Sequence, residues 1–142
     1  MRYWDSSALV PLCVEEESTP RMRQLLLIDP VIITWWTTEL ECVSAISRLE
    51  REGRLSPQAC AEALRRLQNM GETWNVVEPV VGILNTARRL LRVHPLRTAD
   101  ALQLAAAILV CRNQPRAFAF VCLDERLSEA AEREGFQLYS HN

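Results

Sequence analysis

The chain has 142 residues, 49% of them hydrophobic and 24% charged, which is the size and make-up of one globular domain rather than of a disordered or fibrous chain. Its net charge of −2, from 16 basic and 18 acidic residues, excludes a global basic field for nucleic-acid binding, so any RNA contact has to be local. No apolar run reaches the roughly 18 uncharged residues of a membrane span, and Asp5 stands where a leader's apolar stretch would run, which predicts a cytoplasmic protein.

The elements alternate along the chain. Met1 to Trp4 reads as a short strand, and Ser6 or Ser7 is placed to cap a helical turn from Ala8 to Leu12. Thr19-Pro20, a cap followed by proline, opens a helix to about Asp29. The β-branched and aromatic run Val31 to Trp35 is a second strand. A helix from Thr37 or Thr38 to Glu52 stops at Gly53, and a second cap-and-proline pair, Ser56-Pro57, opens one that stops at Gly71. Trp74 to Val77 is a third strand, followed by a helix from Val80 to Val93. Thr98 is placed to cap the next helix, Ala99 to Cys111, which is apolar almost all round except for Gln103 and so should be buried. Phe118 to Cys122, the helix Glu125 to Glu134 and Phe136 to Tyr139 complete the series. Strands separated by helices predict right-handed crossovers and a mainly parallel sheet covered on both faces, within a single domain spanning 1–142.

In such a sheet the carboxyl ends of the strands form the ligand edge. Asp5 and Asp124 end the first and fourth strands, while Glu41 and Asp100 lie in first turns of helices that leave the same edge. Gathered there, four carboxylates repel one another unless a cation neutralises them, and a hard divalent ion is the simplest cation to propose. Each acid also has an ordinary reading: Thr38-x-x-Glu41 matches a capping box, Asp100 suits a helix start, and Asp5 and Asp124 suit strand-to-helix turns. The five cysteines, Cys13, Cys42, Cys60, Cys111 and Cys122, include no close pair. With only His94 and His141 as imidazoles they predict buried thiols in a reducing compartment and disfavour zinc. All 16 basic residues are arginine. Arg97 is the first candidate for a phosphate contact, whereas most of the others suit a solvated helix face.

Four ordered motifs resemble those of PIN-domain proteins, most of all VapC-type toxin ribonucleases. They are Asp5-Ser6-Ser7-Ala8-Leu9-Val10, Glu41-x-x-Ser44-Ala45-x-x-Arg48, Leu96-Arg97-x-x-Asp100-Ala101-Leu102-Gln103-Leu104-Ala105, and Asp124-x-x-Leu127-x-x-Ala130-Ala131-x-x-x-Gly135. The resemblance implies an α/β PIN-like fold with a central five-stranded parallel sheet flanked by about seven helices. It further implies Mg²⁺- or Mn²⁺-dependent RNA cleavage, a homodimer, and inhibition by a cognate antitoxin protein. The family's acidic quartet falls on Asp5, Glu41, Asp100 and Asp124, which become the expected catalytic and metal-binding residues. Ser7 matches a hydroxyl residue that would orient Asp5 or a metal-bound water. Cys122 and Gln103 depart from the pattern, standing where many relatives carry a hydroxyl residue and a histidine. Glu39 is a neighbour of Glu41 that does not fit the Glu-x-x-Ser-Ala spacing.

Other classes fit less well. Phospho-acceptor receiver domains depend on a lysine, which is absent here, and haloacid-dehalogenase-like phosphatases need Asp-x-Asp where this chain reads Asp5-Ser6-Ser7. The remaining alternative is a PIN fold that binds RNA or protein with weak or no catalysis. Trp35, Trp36 and Trp74 are candidates for a dimer surface or for the core.

Overall fold

The computed structural model describes residues 1–112 and 114–139; His141 lies outside them. In chain order the elements are β1 (Arg2–Trp4), α1 (Ser6–Cys13), α2 (Thr19–Ile28), β2 (Ile32–Trp35), α3 (Thr38–Arg51), α4 (Pro57–Gly71) and β3 (Asn75–Val77). They continue with α5 (Val81–Val93), α6 (Thr98–Val110), a 3₁₀ turn (Pro115–Ala117), β4 (Ala119–Val121), α7 (Glu125–Arg133) and β5 (Gln137–Tyr139). The five strands form one sheet in the order β3-β2-β1-β4-β5, and every neighbouring pair is parallel.

Alternation along β1 divides the interior. Tyr3 belongs to a core built with α5, α6 and α7, where it stacks on Phe120 at 5.3 Å between ring centroids. Trp4 belongs to the opposite core, built with α1 to α4, together with Leu9, Met22, Ile46 and Leu67. With both faces covered, the central strands have no solvated side, which is why β2 and β4 are buried at every position, Thr34 included. Trp35 and Trp74 are taken up by these cores and leave the candidate dimer surface to Trp36, which is 59% exposed. All five cysteines are buried.

The helix starts differ from the sequence expectation in a consistent way. Asp5, rather than Ser6 or Ser7, is the N-cap of α1 and accepts the Ser7 N–H. The Thr19 hydroxyl, expected as a cap, is buried and donates to the Pro11 carbonyl at 2.7 Å. Thr38 lies inside α3 instead of capping it, and α6 begins after Arg97 rather than with a Thr98 cap. In each case a tertiary partner or a neighbouring acid supplies a better hydrogen bond than the local cap would.

Candidate functional site

β1 connects through α1 and α2 to β2 on one side, and β4 connects through α7 to β5 on the other. The boundary between β1 and β4 is therefore the point where the winding changes direction and a crevice opens at the carboxyl edge. Asp5 and Asp124 follow these two strands directly, one on each side of that boundary.

Asp5 is 3% exposed. Its Oδ1 accepts from both the backbone N–H and the hydroxyl of Ser7, the latter at 2.7 Å. The Ser7 hydroxyl in turn accepts the Leu123 N–H at 2.8 Å, so its proton is committed to Asp5. The Cys122 thiol lies 3.4 Å from Asp5 Oδ2, in the place where a hydroxyl was expected. Burial keeps that thiol protonated, so it faces Asp5 as a weak donor and not as a thiolate.

Glu41 is half-buried on the first turn of α3. Its Oε2 accepts from the Gln103 amide at 2.9 Å and from the Thr37 hydroxyl at 3.2 Å. Asp100 sits on the first turn of α6, where its Oδ2 accepts the Arg97 N–H at 3.3 Å. Asp124 is exposed and caps α7 by accepting the Leu127 N–H through Oδ1 at 2.9 Å. The ordinary roles weighed for Asp5, Asp100 and Asp124 as helix starters are thus real. Each uses one oxygen and leaves the other, which for Asp5 meets only the thiol and a longer 3.1 Å Ser7 contact.

The electrostatics tie the four acids into a ring. Burial raises the Asp5 carboxyl to about 6, the Ser7 bonds oppose that rise, and the Asp124 charge adds to it. Burial likewise lifts Glu41 to about 7, against the Gln103 bond and with the charges of Asp5 and Asp100. Asp100 is raised by burial and by Asp124, against the Arg97 N–H and the Arg126 and Arg97 guanidinium charges. Asp5 is raised in part by Asp124, Glu41 by Asp5 and Asp100, and Asp100 by Asp124, so the charges link the four positions pair by pair. Among the described residues no three His, Cys, Asp or Glu side chains close into a ready-made metal cage.

Two of the acids, Asp100 and Asp124, line a cleft of about 710 Å³ together with Arg97, Ala99, Leu123, Glu125 and Arg126; Asp5 and Glu41 are not among its lining residues. Across Leu123 a second cleft of about 560 Å³ carries Glu15, Glu16, Glu17, Arg21 and Arg54. Arg97 stands where the sequence placed it, beside Asp100, and Arg126 is an arginine of the same cleft that sequence reasoning missed. The rival Glu39 turns away, its carboxylate lying beside Gly71 of α4. Gln103 and Thr37 were also missed as partners of Glu41. The signal for Gln103 was present, because it is the single polar residue on the buried stretch of an otherwise apolar helix.

Comparison with known proteins agrees with this architecture. The chain is similar in structure to PAE2754 from Pyrobaculum aerophilum, with a TM-score of 0.63 and 20% identity over 97% of this chain and 83% of that one. It is similar to a chain of a toxin-antitoxin complex from Klebsiella pneumoniae, with a TM-score of 0.60 and 16% identity over 90% and 91%. It is also similar to Mycobacterium tuberculosis VapC20, described as a Sarcin-Ricin loop cleaving toxin, with a TM-score of 0.65 and 18% identity over 96% of both chains. No curated protein matches the sequence. A family model described as PIN domain matches residues 2–133, nearly the whole length, and the chain belongs to that family.

Proposed function

We propose that the protein is a metal-dependent endoribonuclease and the toxin of a type II toxin–antitoxin pair, a single PIN domain whose ring of four carboxylates holds Mg²⁺ or Mn²⁺. The observation that supports this reading is the set of charge links among acids from four separated segments: Asp124 raises Asp5 and Asp100, and Asp5 and Asp100 raise Glu41. Their donor chemistry fits the ion. The oxygens are carboxylate, the nearest sulfur is a protonated thiol, and carboxylates crowded in this way gain most from a hard cation.

A divalent cation bound there supplies an activated water and neutralises charge on the phosphodiester. The chain does the rest. Asp5 and Asp100, with Glu41 and Asp124 directly or through water, would hold the cation. Ser7 fixes the orientation of Asp5. Arg97 and Arg126 line the cleft where a phosphate would lie and can donate to its oxygens, holding the backbone in line while the P–O bond to the leaving oxygen breaks. No histidine or nucleophilic side chain is needed. RNA as the substrate is supported by the similarity to VapC20, and an antitoxin partner by the similarity to the Klebsiella complex. The same resemblance to toxins extends the proposal to a cytoplasmic homodimer.

Purified protein should cleave RNA with Mg²⁺ or Mn²⁺ and stop when the ion is chelated. Asp100→Asn should abolish cleavage while the protein stays folded. Expression of the intact chain should arrest bacterial growth, and Asp100→Asn at matched protein level should not. Equal growth of the two cultures, with no metal-dependent cleavage by the intact chain, would instead favour a PIN fold that binds RNA or protein without cutting.

A further inference from the structure

Gln103 is 1% exposed on α6, among Ala101, Leu104, Ala105, Ala106, Ala107 and Ile108. A primary amide in such surroundings is costly unless its polar atoms are paired. Here they are paired on three sides. The Tyr3 hydroxyl donates to Gln103 Oε1 at 2.7 Å, and Nε2 donates to Thr38 Oγ1 at 2.8 Å and to Glu41 Oε2 at 2.9 Å.

Proton counting gives this network one direction. The Thr34 hydroxyl spends its single proton on the Trp4 carbonyl at 2.7 Å. The proton between the Thr34 and Thr38 hydroxyls, 2.7 Å apart, therefore belongs to Thr38, which leaves the Thr38 oxygen to accept from Gln103. Reversing the amide would set its carbonyl oxygen against the ionised Glu41 carboxylate, the form that binds a cation, so in that form the NH₂ group faces Glu41. Among the described residues both hydrogen bonds to the Glu41 side chain end on Oε2. Oε1 is the oxygen left for a ligand.

We infer that Gln103 is a positioning residue for Glu41: anchored by Tyr3 and Thr38, its amide grips one carboxylate oxygen and presents the other to the cation. This rests on the metal-dependent reading above. The chain from Glu41 through Gln103, Thr38 and Thr34 ends on the carbonyl of Trp4, the residue before Asp5, so two of the four acids are referenced to the same strand end.

The test measures Mn²⁺ affinity by calorimetry, alongside the Mn²⁺ concentration for half-maximal RNA cleavage, in the intact chain, Gln103→Met, Glu41→Gln and the double variant. Gln103→Met should weaken Mn²⁺ binding about tenfold or more and shift the half-maximal concentration by the same factor. In the Glu41→Gln background it should add no further loss, because a residue acting through Glu41 has nothing left to position. Tyr3→Phe, which removes one anchor but keeps the ring, should give a smaller shift in the same direction, and it decides the matter if Gln103→Met does not fold. Unchanged Mn²⁺ affinity in the folded variants, or losses that add in the double variant, would overturn the inference and leave the metal site standing. An intact chain that neither binds Mn²⁺ nor cuts RNA would overturn the proposed function itself, and the inference with it.

Discussion

The two halves of the carboxylate ring are built differently. Asp5 is buried and Glu41 half-buried, and besides local partners, the Ser7 N–H and hydroxyl for one and the Thr37 hydroxyl for the other, each accepts from a side chain far along the chain, Cys122 and Gln103. Asp100 and Asp124 sit nearer solvent, take their hydrogen bonds from the backbone at their own helix starts, and share a cleft with Arg97 and Arg126. Under the proposed function the deep half would hold the cation in a fixed place. The shallow half would meet the phosphate chain that extends into solvent. Burial accordingly raises the deep carboxyls, Asp5 to about 6 and Glu41 to about 7.

If this division is functional, substitutions in the two halves should separate by size. The largest effect belongs to Asp5→Asn, which removes a buried ligand yet keeps an oxygen for the Ser7 N–H. Cleavage should fall by about a thousandfold, equivalent to about 4 kcal/mol of lost charge stabilisation. Asp124→Asn, at an exposed position, should lose far less, on the order of tenfold. Rates measured at saturating Mn²⁺ would break the comparison if the two variants fell equally.

The second effect is on stability and has a definite sign. The folded, metal-free protein keeps a proton on Asp5 up to about 6 and on Glu41 up to about 7, whereas the unfolded chain releases both near pH 4. More protons are bound in the folded state between those limits. The stability they contribute is complete below about pH 4 and is lost as pH rises through 6 and 7. For Asp5 a rise of about two units corresponds to about 3 kcal/mol. Metal-free thermal melts should therefore fall with pH across this window, and saturating Mn²⁺ should reverse the slope by binding the ionised folded form. An Asp5→Asn protein should show a flatter metal-free profile. A metal-free Tm that rises from pH 5 to 7 would remove the basis for calling these acids strained.

Cys122→Ser sharpens the comparison at intermediate size. A hydroxyl donates more strongly than a thiol, so the change should favour ionised Asp5 by about 1 kcal/mol. The acid limb of the pH–rate profile should move to lower pH by somewhat under about one unit. No displacement would mean that the thiol does not face Asp5 in solution. The smallest effect is expected on the shallow side: Arg97→Ala and Arg126→Ala should each raise KM several-fold, by about 1 kcal/mol, with kcat little changed. Both penalties should shrink in high salt.

Much of this arrangement was legible in the order of residues. Proline and glycine punctuation, as at Ser56-Pro57, Gly53 and Gly135, marked the helix limits, and the apolar strands implied a sheet covered on both sides. The acids could be placed at one edge because their positions follow from strand ends and helix starts alone. The hydrogen bonds could not. Gln103 and Glu41 are 62 residues apart, as Cys122 and Asp5 are 117 apart, and no local pattern encodes such a pairing. Cap assignments such as Thr19 and Thr98 failed for the same reason, because a buried carbonyl or a nearby carboxylate competed with the expected local bond. Arg126 carried no signal at all, being one charged residue in a helix rich in them.

The central position of β1 has a consequence for the timing of synthesis. β1 comes first from the ribosome, and its partner β4, with register Tyr3 to Phe120, comes more than a hundred residues later. A nascent chain can dock β2 and β3 beside β1 while one side of β1 still lacks its neighbour and Asp124 has not been added. A growth intermediate of this kind carries Asp5, Glu41 and then Asp100 without the crevice that unites them. The carboxylate site is therefore completed late in translation, by the arrival of β4 and the Asp124 that follows it.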